Sequence, residues 1–273
     1  MTRTSSPRRV GDAPRLQPLE ERAARLGLHG LLAHWSEVAD KPWLEQVLAM
    51  EEDERHQRSQ ARRLRNAKIG PMKPLADFDW AWPEKIDREL VEELTSLDFA
   101  REPANVILVG PNGVGKTMIA KNLAYQAVLH GFTVRFTTAS DLLSDLSSQD
   151  GPSALARRLR RYLRPTLLAI DEVGYLSYNS QHADLLFDVV NRRNQLKSTI
   201  VTTNKPFTEW NEVFPNASSV VALIDRLVHK AEIVEIVAES YRLKEAAERT
   251  QNGKQRRAAR RSSPAARKKK VAS

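Results

Sequence analysis

The chain has 273 residues, 41% of them apolar, which suits one domain of about 200 residues with appendages, or two small domains. It has no cysteine, which excludes disulfides, cysteine-ligated zinc and thiol catalysis. The net charge is +9, and residues 251–273 hold nine Lys/Arg and no acid, so without them 34 basic residues face 34 acidic ones.

The first residues, "MTRTSSPRRVGDAPR", carry basic side chains with no apolar stretch behind them and do not read as a secretory signal. No apolar run approaches the roughly 20 residues that span a bilayer. The expectation is a cytoplasmic protein that does not engage a membrane.

Residues 1–15 read as a disordered leader and 16–70 as a small all-helical domain. In "LEERAARLGLHGLLAHWSEVAD", Leu28, Leu31, Leu32 and Trp35 recur at helical spacing. Pro42 then stands near the start of a second helix. That helix is acidic at Glu51, Glu52, Asp53 and Glu54, whereas Arg55 to Lys73 holds seven Lys/Arg and no acid. Gly70, Pro71 and Pro74 mark a linker.

A helix is expected at 84–97, followed by an alternation over 71–249. Strand "NVILV" (105–109) precedes a helix at 116–130, and "TVRFT" (133–137) precedes helices at 140–148 and 153–163. "TLLAID" (166–171) precedes a helix at 181–196, and "STIVTT" (198–203) precedes helices at 207–213 and 218–229. "EIVEIV" (232–237) reads as the last strand. Nearly continuous apolar strands alternating with helices predict an α/β fold, a five-stranded parallel sheet covered on both faces. Residues 250–273 are too basic and too poor in apolar surface to order. They read either as a solubilising tail or as an electrostatic arm for nucleic acid.

The eight residues "GPNGVGKT" fit G-x-x-x-x-G-K-[ST] between an expected strand and an expected helix, the context a phosphate-binding loop requires. Gly110, Gly113 and Gly115 allow close approach of the backbone to phosphates. With Pro111, Asn112, Val114 and Met118 they make up the loop and the first turn of the helix, whose N–H groups face an anion. Lys116 is expected to reach the β- and γ-phosphates, and Thr117 to coordinate Mg²⁺. In "LLAIDEVGY", Asp171 ends an apolar strand and is expected to hold Mg²⁺. Glu172 is the candidate to orient or deprotonate the attacking water, although an acidic pair also suits a helix start. Asn204 after "STIVTT" could sit beside the γ-phosphate, or could simply turn the chain before Lys205-Pro206. Arg226, amid Leu223, Ile224 and Leu227, is open to two readings. One is an ion pair with Asp225 or Glu232, the other an arginine that reaches a neighbouring subunit's nucleotide.

Taken together, "FDW" at 78–80, "NVILVGPNGVGKT", "LLAIDEVGYL", "VTTNKPFTEW", "LIDRLVHKAEIVEI" and "SYRLK" at 240–244 resemble an AAA+ ATPase. More narrowly, the sequence resembles the IstB-like transposition helper ATPases, relatives of the DnaC-type helicase loaders, over about 16–246. The resemblance implies ATP hydrolysis with Mg²⁺, assembly on DNA and delivery to a partner transposase. A loader that places a replicative helicase, with ATP as a switch, is the alternative. It also implies that Arg226 acts in trans and that Arg242 of "SYR" senses nucleotide. The family commonly has Gly before "SYR", where this chain has Glu239. The short stretch after Asn204 leaves no room for a full lid domain, which points to a homo-oligomer with nucleotide at subunit interfaces.

Two basic clusters outside the tail are candidates for duplex DNA. Arg58, Arg62 and Arg65 share one helix face with Arg55, although Glu51 and Glu54 are placed to pair with its first turn. In "RRLRRYLR", Arg157, Arg158, Arg160 and Arg161 lie opposite the apolar stripe Leu155, Leu159 and Leu163. No sequence-reading module is evident, so contact with the phosphate backbone is expected to dominate.

Overall fold

The computed structural model describes residues 18–175, 178–214, 218–246 and 249–251. The expected leader and the basic tail from 252 onward lie outside them. The chain divides into two compact units, up to Ala61 and from Arg62 onward.

In the first unit, α1 (Leu19–Arg25), α2 (His29–Ala33) and α3 (Trp35–Val38) precede the long α4 (Leu44–Ala67), whose residues from Arg62 onward belong to the second. The single helical region read before Pro42 is broken because Gly27 takes φ 64° just after α1. Ala23, Leu26, Leu44 and Leu48 are buried together, with Leu28, Leu31, Leu32 and Trp35 packed on them. The Glu52 carboxylate accepts from Arg22 at 2.9 Å and from Arg25 at 2.8 Å.

In the second unit, α5 (Arg88–Leu94) starts where the Asp87 carboxylate accepts the Leu90 N–H. The expected helix 84–97 is therefore trimmed at its front by this cap. Its end is set by Leu97, which takes φ 65° before α6 (Asp98–Arg101). Then come β1 (Asn105–Val109), α7 (Lys116–Leu129), β2 (Val134–Thr138), α8 (Ala139–Ser147), α9 (Pro152–Leu163) and β3 (Leu167–Val173). They are followed by α10 (Ser180–Arg193), β4 (Ser198–Thr203), α11 (Trp210–Val213), α12 (Val220–Val228) and β5 (Ala231–Glu235).

The five strands form one parallel sheet in the order β2-β3-β4-β1-β5. The last strand is shorter than its apolar run, because Val237 leaves the ladder to pair with Lys85 in an isolated antiparallel bridge. Side chains alternate across the sheet as a pleat requires. Val106, Leu108, Leu167, Ala169 and Ile200 pack with Ile119, Leu123 and Ala127 of α7. Ile107, Leu168, Ile170 and Val201 pack on the other face with Leu142 of α8, Leu186 of α10 and Leu223 of α12. Both faces are thus dry, which explains why the strands read as unbroken apolar runs.

Arg193 at the end of α10 is 1% exposed. Its guanidinium donates to the carbonyls of Tyr162, Pro165, Thr166 and Ser198 and to the Thr199 hydroxyl. It ties the ends of α9 and α10 to the starts of β3 and β4. No described helix is long and apolar enough to cross a membrane.

Candidate active site

The strand order sets the site. β1 lies between β5 and β4, and β3 lies beyond β4, so the loop after β1 faces the carboxyl ends of both neighbours. This is the edge where open α/β sheets bind ligands. Gly113 (φ 82°) and Gly115 (φ 104°) take backbone angles that favour glycine. Their missing side chains are also required by packing. A Cβ on Gly113 would lie 2.3 Å from Ser240 Oγ, and one on Gly115 would lie 2.5 Å from Phe78 Cε2.

Lys116 opens α7 and is 8% exposed. Its ammonium donates to the Gly110 and Pro111 carbonyls, both at 2.6 Å. Burial pushes its pKa down to about 8, with Asp171 opposing the shift, Arg242 adding to it and Glu172 opposing it.

The acid pair is organised by β4. Asp171 is 4% exposed and accepts from Thr117 Oγ1 at 3.1 Å and from Thr202 Oγ1. The same Thr202 hydroxyl accepts the Glu172 N–H at 2.9 Å. The β3–β4 register shifts between Ile170 and Val173. Within that bulge Glu172 takes φ 62°, so its side chain is exposed while Asp171 stays inside. Asn204 Oδ1 is buried with no hydrogen-bond partner.

A cavity of about 520 Å³ collects these groups. Asn112 through Met118, Glu172, Thr202, Asn204 and Arg242 line it. Gly110 and Pro111 serve it through the carbonyls that hold Lys116. Asp171 stands behind it, reached through Thr117 and Thr202. Aromatic side chains, Phe78, Trp82 and Tyr241, also line it. There the Trp82 indole donates to the Glu239 carbonyl at 2.9 Å, and the Tyr241 N–H donates to the Gly113 carbonyl at 3.1 Å. Glu239 thus fits in place of glycine, because only its backbone is used here. Lys244 lies 4.2 Å from the Trp82 ring and 3.1 Å from Asp79.

The donor set suits Mg²⁺ bound with a polyphosphate. Thr117 and Asp171 offer hard oxygens in one place. No group of three potential His/Cys/Asp/Glu ligands exists among the described residues.

Arg226 lies outside this cavity. It bonds Asp225 at 2.7 Å and Asn191 at 3.3 Å, while Glu232 takes no part. Of the basic clusters, Arg58 pairs with Glu54 at 2.5 Å and Arg55 with Glu51 at 2.6 Å, while Arg62 and Arg65 are exposed. Arg157 and Arg160 are exposed on α9, and Arg158 and Arg161 stand 3.5 and 3.7 Å from Asp145. Thr202, Trp82 and Tyr241 are site residues that no motif spacing singled out. Tyr241 and Thr202 lie inside the quoted stretches "SYRLK" and "VTTNKPFTEW" and Trp82 lies just after "FDW", but none of the three was assigned a role.

A parallel sheet in this order, with a phosphate loop after β1, an acid pair ending β3 and an asparagine after β4, defines a P-loop domain of the AAA+ type. The crystal structure of DnaI shares this fold, with a TM-score of 0.51 and 17% identity over 62% of this chain and 93% of that one. The profile of the IstB-like ATP binding proteins matches residues 19–249, and the chain belongs to that family. It is 39% identical to the ATP-binding protein of insertion sequence IS21 from Pseudomonas aeruginosa, over 77% of this chain and 79% of the relative. It is 33% identical to that of insertion sequence IS5376 from Geobacillus stearothermophilus, over 87% and 98%.

Proposed function

We propose that this chain is an ATPase that assembles as a homo-oligomer on duplex DNA and assists a partner transposase. The observation that carries the catalytic part is the hydroxyl–carboxylate array Thr117, Asp171 and Thr202 beside Lys116, with Glu172 turned into the same cavity. Relatives named as ATP-binding proteins of insertion sequences support the transposition role.

Lys116 and the loop N–H groups bind the β- and γ-phosphates, and Arg242 senses the same anion. Thr117 and Asp171 would hold Mg²⁺, which would supply charge neutralisation on those oxygens. Asn204 Oδ1 accepts a hydrogen bond from the attacking water, whose bonded hydrogen stays on the oxygen, and Glu172 takes the other proton. The water oxygen bonds the γ-phosphorus, the bond to the β,γ-bridging oxygen breaks, and ADP leaves. Arg226 of a neighbouring subunit stabilises the charge that develops. Arg58, Arg62, Arg65, Arg157, Arg158, Arg160 and Arg161 supply phosphate-backbone contacts.

Nucleotide titration and phosphate release with and without duplex DNA test this reading. Lys116→Ala should lose binding. Glu172→Gln should bind ATP yet turn over about 10²–10⁴-fold more slowly. Unchanged turnover in Glu172→Gln would remove its assigned role.

A further inference from the structure

A second cavity, of about 480 Å³, shares Lys121 with the first and lies at the edge of the sheet formed by β2. Lys68, Lys121, Arg135 and Arg161 line it, against the carboxylates of Asp141 and Asp145. Four cations against two anions leave it net positive. Asp145 is already engaged, accepting from the Tyr162 hydroxyl at 2.7 Å and standing 3.5 and 3.7 Å from Arg158 and Arg161.

Arg135 is the singular member. It is the second residue of β2, and its Nε is buried with no hydrogen-bond partner. A buried N–H without an acceptor is costly to keep. Burial first, and then repulsion by the charge of Arg161, lower its pKa, while Tyr162, Asp145 and Asp141 oppose the shift. A guanidinium presents a planar fork of donors that matches phosphate oxygens. An anion seated here would satisfy the orphan donor and relieve the repulsion at once. Arg161 also joins the cleft to α9, whose Arg157 and Arg160 are exposed.

We propose that this cleft binds a phosphate group, supplied by the backbone of duplex DNA, with Arg135 as its central contact. The proposal rests on the DNA-binding reading above and places a contact where no motif pointed. It also provides a path to the nucleotide. Lys121 lines both cavities, donates to the Pro71 carbonyl at 3.0 Å and stands on α7 five residues after Lys116. A phosphate that draws on Lys121 therefore acts on the helix into which the phosphate loop leads.

The test is duplex binding across salt concentrations for the full chain, Arg135→Gln and Arg135→Lys, with basal and DNA-stimulated ATP turnover read alongside. Arg135→Gln should lower the slope of log affinity against log salt by about 0.9, the share of one phosphate contact. Its basal turnover should persist while the stimulation by DNA falls, and Arg135→Lys should keep the slope. An unchanged slope in folded Arg135→Gln overturns the proposal. If Arg135→Gln does not fold, the same slope is read on Arg161→Gln, whose side chain is 41% exposed, and an unchanged slope there overturns it equally. If the wild-type chain binds no duplex, the DNA-binding reading itself fails. The cleft is then judged by tripolyphosphate in the Lys116→Ala background, where the phosphate loop lacks its cation. A rise in melting temperature that Arg135→Gln abolishes supports a phosphate site filled by a free polyphosphate. No rise, or an equal rise in both variants, overturns it.

Discussion

The Thr202 hydroxyl donates to the Asp171 carboxylate and accepts the Glu172 N–H at 2.9 Å. One side chain on β4 therefore fixes both members of the acid pair on β3. The bulge that turns Glu172 outward leaves its N–H without a regular ladder position, and Thr202 supplies the acceptor. Asp171 is nearly fully buried, so its charge depends on donors placed around it.

Thr202→Val keeps the shape and removes that donor. Half-saturating Mg²⁺ for turnover should rise about 10–100-fold, as is usual when an outer-shell partner of a metal ligand is lost. Stability should fall by about 1–3 kcal/mol, because a buried carboxylate loses a partner. Thr202→Ser restores the hydroxyl and should recover most of both. A magnesium titration of Thr202→Val that superimposes on the wild type would show that the bond does not matter to the metal.

Lys116 makes the site sensitive to alkaline pH. Its pKa is pushed from 10.5 to about 8 by burial, so in the free protein the charged form is disfavoured. Between about pH 8 and 10.5 the unfolded chain holds this proton more tightly than the folded one. The group's contribution to stability therefore rises with pH across that window and is lost as pH falls toward 8. Binding follows the opposite course. Phosphates need the ammonium, so ATP affinity should decline above about pH 8, approaching tenfold per unit. Titrations from pH 7 to 10 should show the decline in the wild type, and Lys116→Arg should be flat over the same range because a guanidinium stays charged. An equal decline in both would assign it to another group.

Arg193 gives a prediction about stability alone. Arg193→Met would leave four carbonyls and one hydroxyl without their donor in a dry interior. Denaturant unfolding should show a loss of at least about 3 kcal/mol. A loss below about 1 kcal/mol would mean that the carbonyls find other donors.

How much of this was legible depended on whether a residue's meaning lay in spacing or in position across the sheet. The phosphate loop was legible because its glycines, lysine and threonine are consecutive, and the strands because both sheet faces are dry. Thr202 was not: alternation gives the face its side chain points to, but not that a bulged neighbour strand brings Asp171 and Glu172 against it. Arg192 and Arg193 look equivalent in "NRRNQ". One residue's rotation about α10 leaves Arg192 paired with Asp188 at 2.6 Å near the surface and sends Arg193 into the core. Arg135 read as one cation in a strand, because only tertiary packing brings Arg161 and Lys121 around it. The stretch 71–85 has no period at all, and its tie to α7 comes from Asn122, which donates to the Lys73 carbonyl and accepts the Leu75 N–H.

In the proposed function Arg226 acts on another subunit. It is 41% exposed on α12, holds only Asp225 and Asn191 through the bonds described here, and does not line its own chain's cavity. Arg226→Ala should bind ATP as the wild type does, because none of the groups around Lys116 changes. Turnover should fall about 10³–10⁵-fold, the scale of an arginine supplied in trans. Loss of turnover alone would also follow from a misplaced helix, so the informative measurement is a mixture. Inactive Arg226→Ala and inactive Lys116→Ala subunits, combined under conditions where mixed oligomers form, should recover part of the activity. In such an assembly some interfaces pair an intact phosphate loop with an intact arginine. Recovery should peak near equal proportions and vanish when both substitutions sit on one chain. If the mixture stays inactive while exchange of subunits is demonstrated, Arg226 does not act across the interface, and its bonds to Asp225 and Asn191 are left as its role.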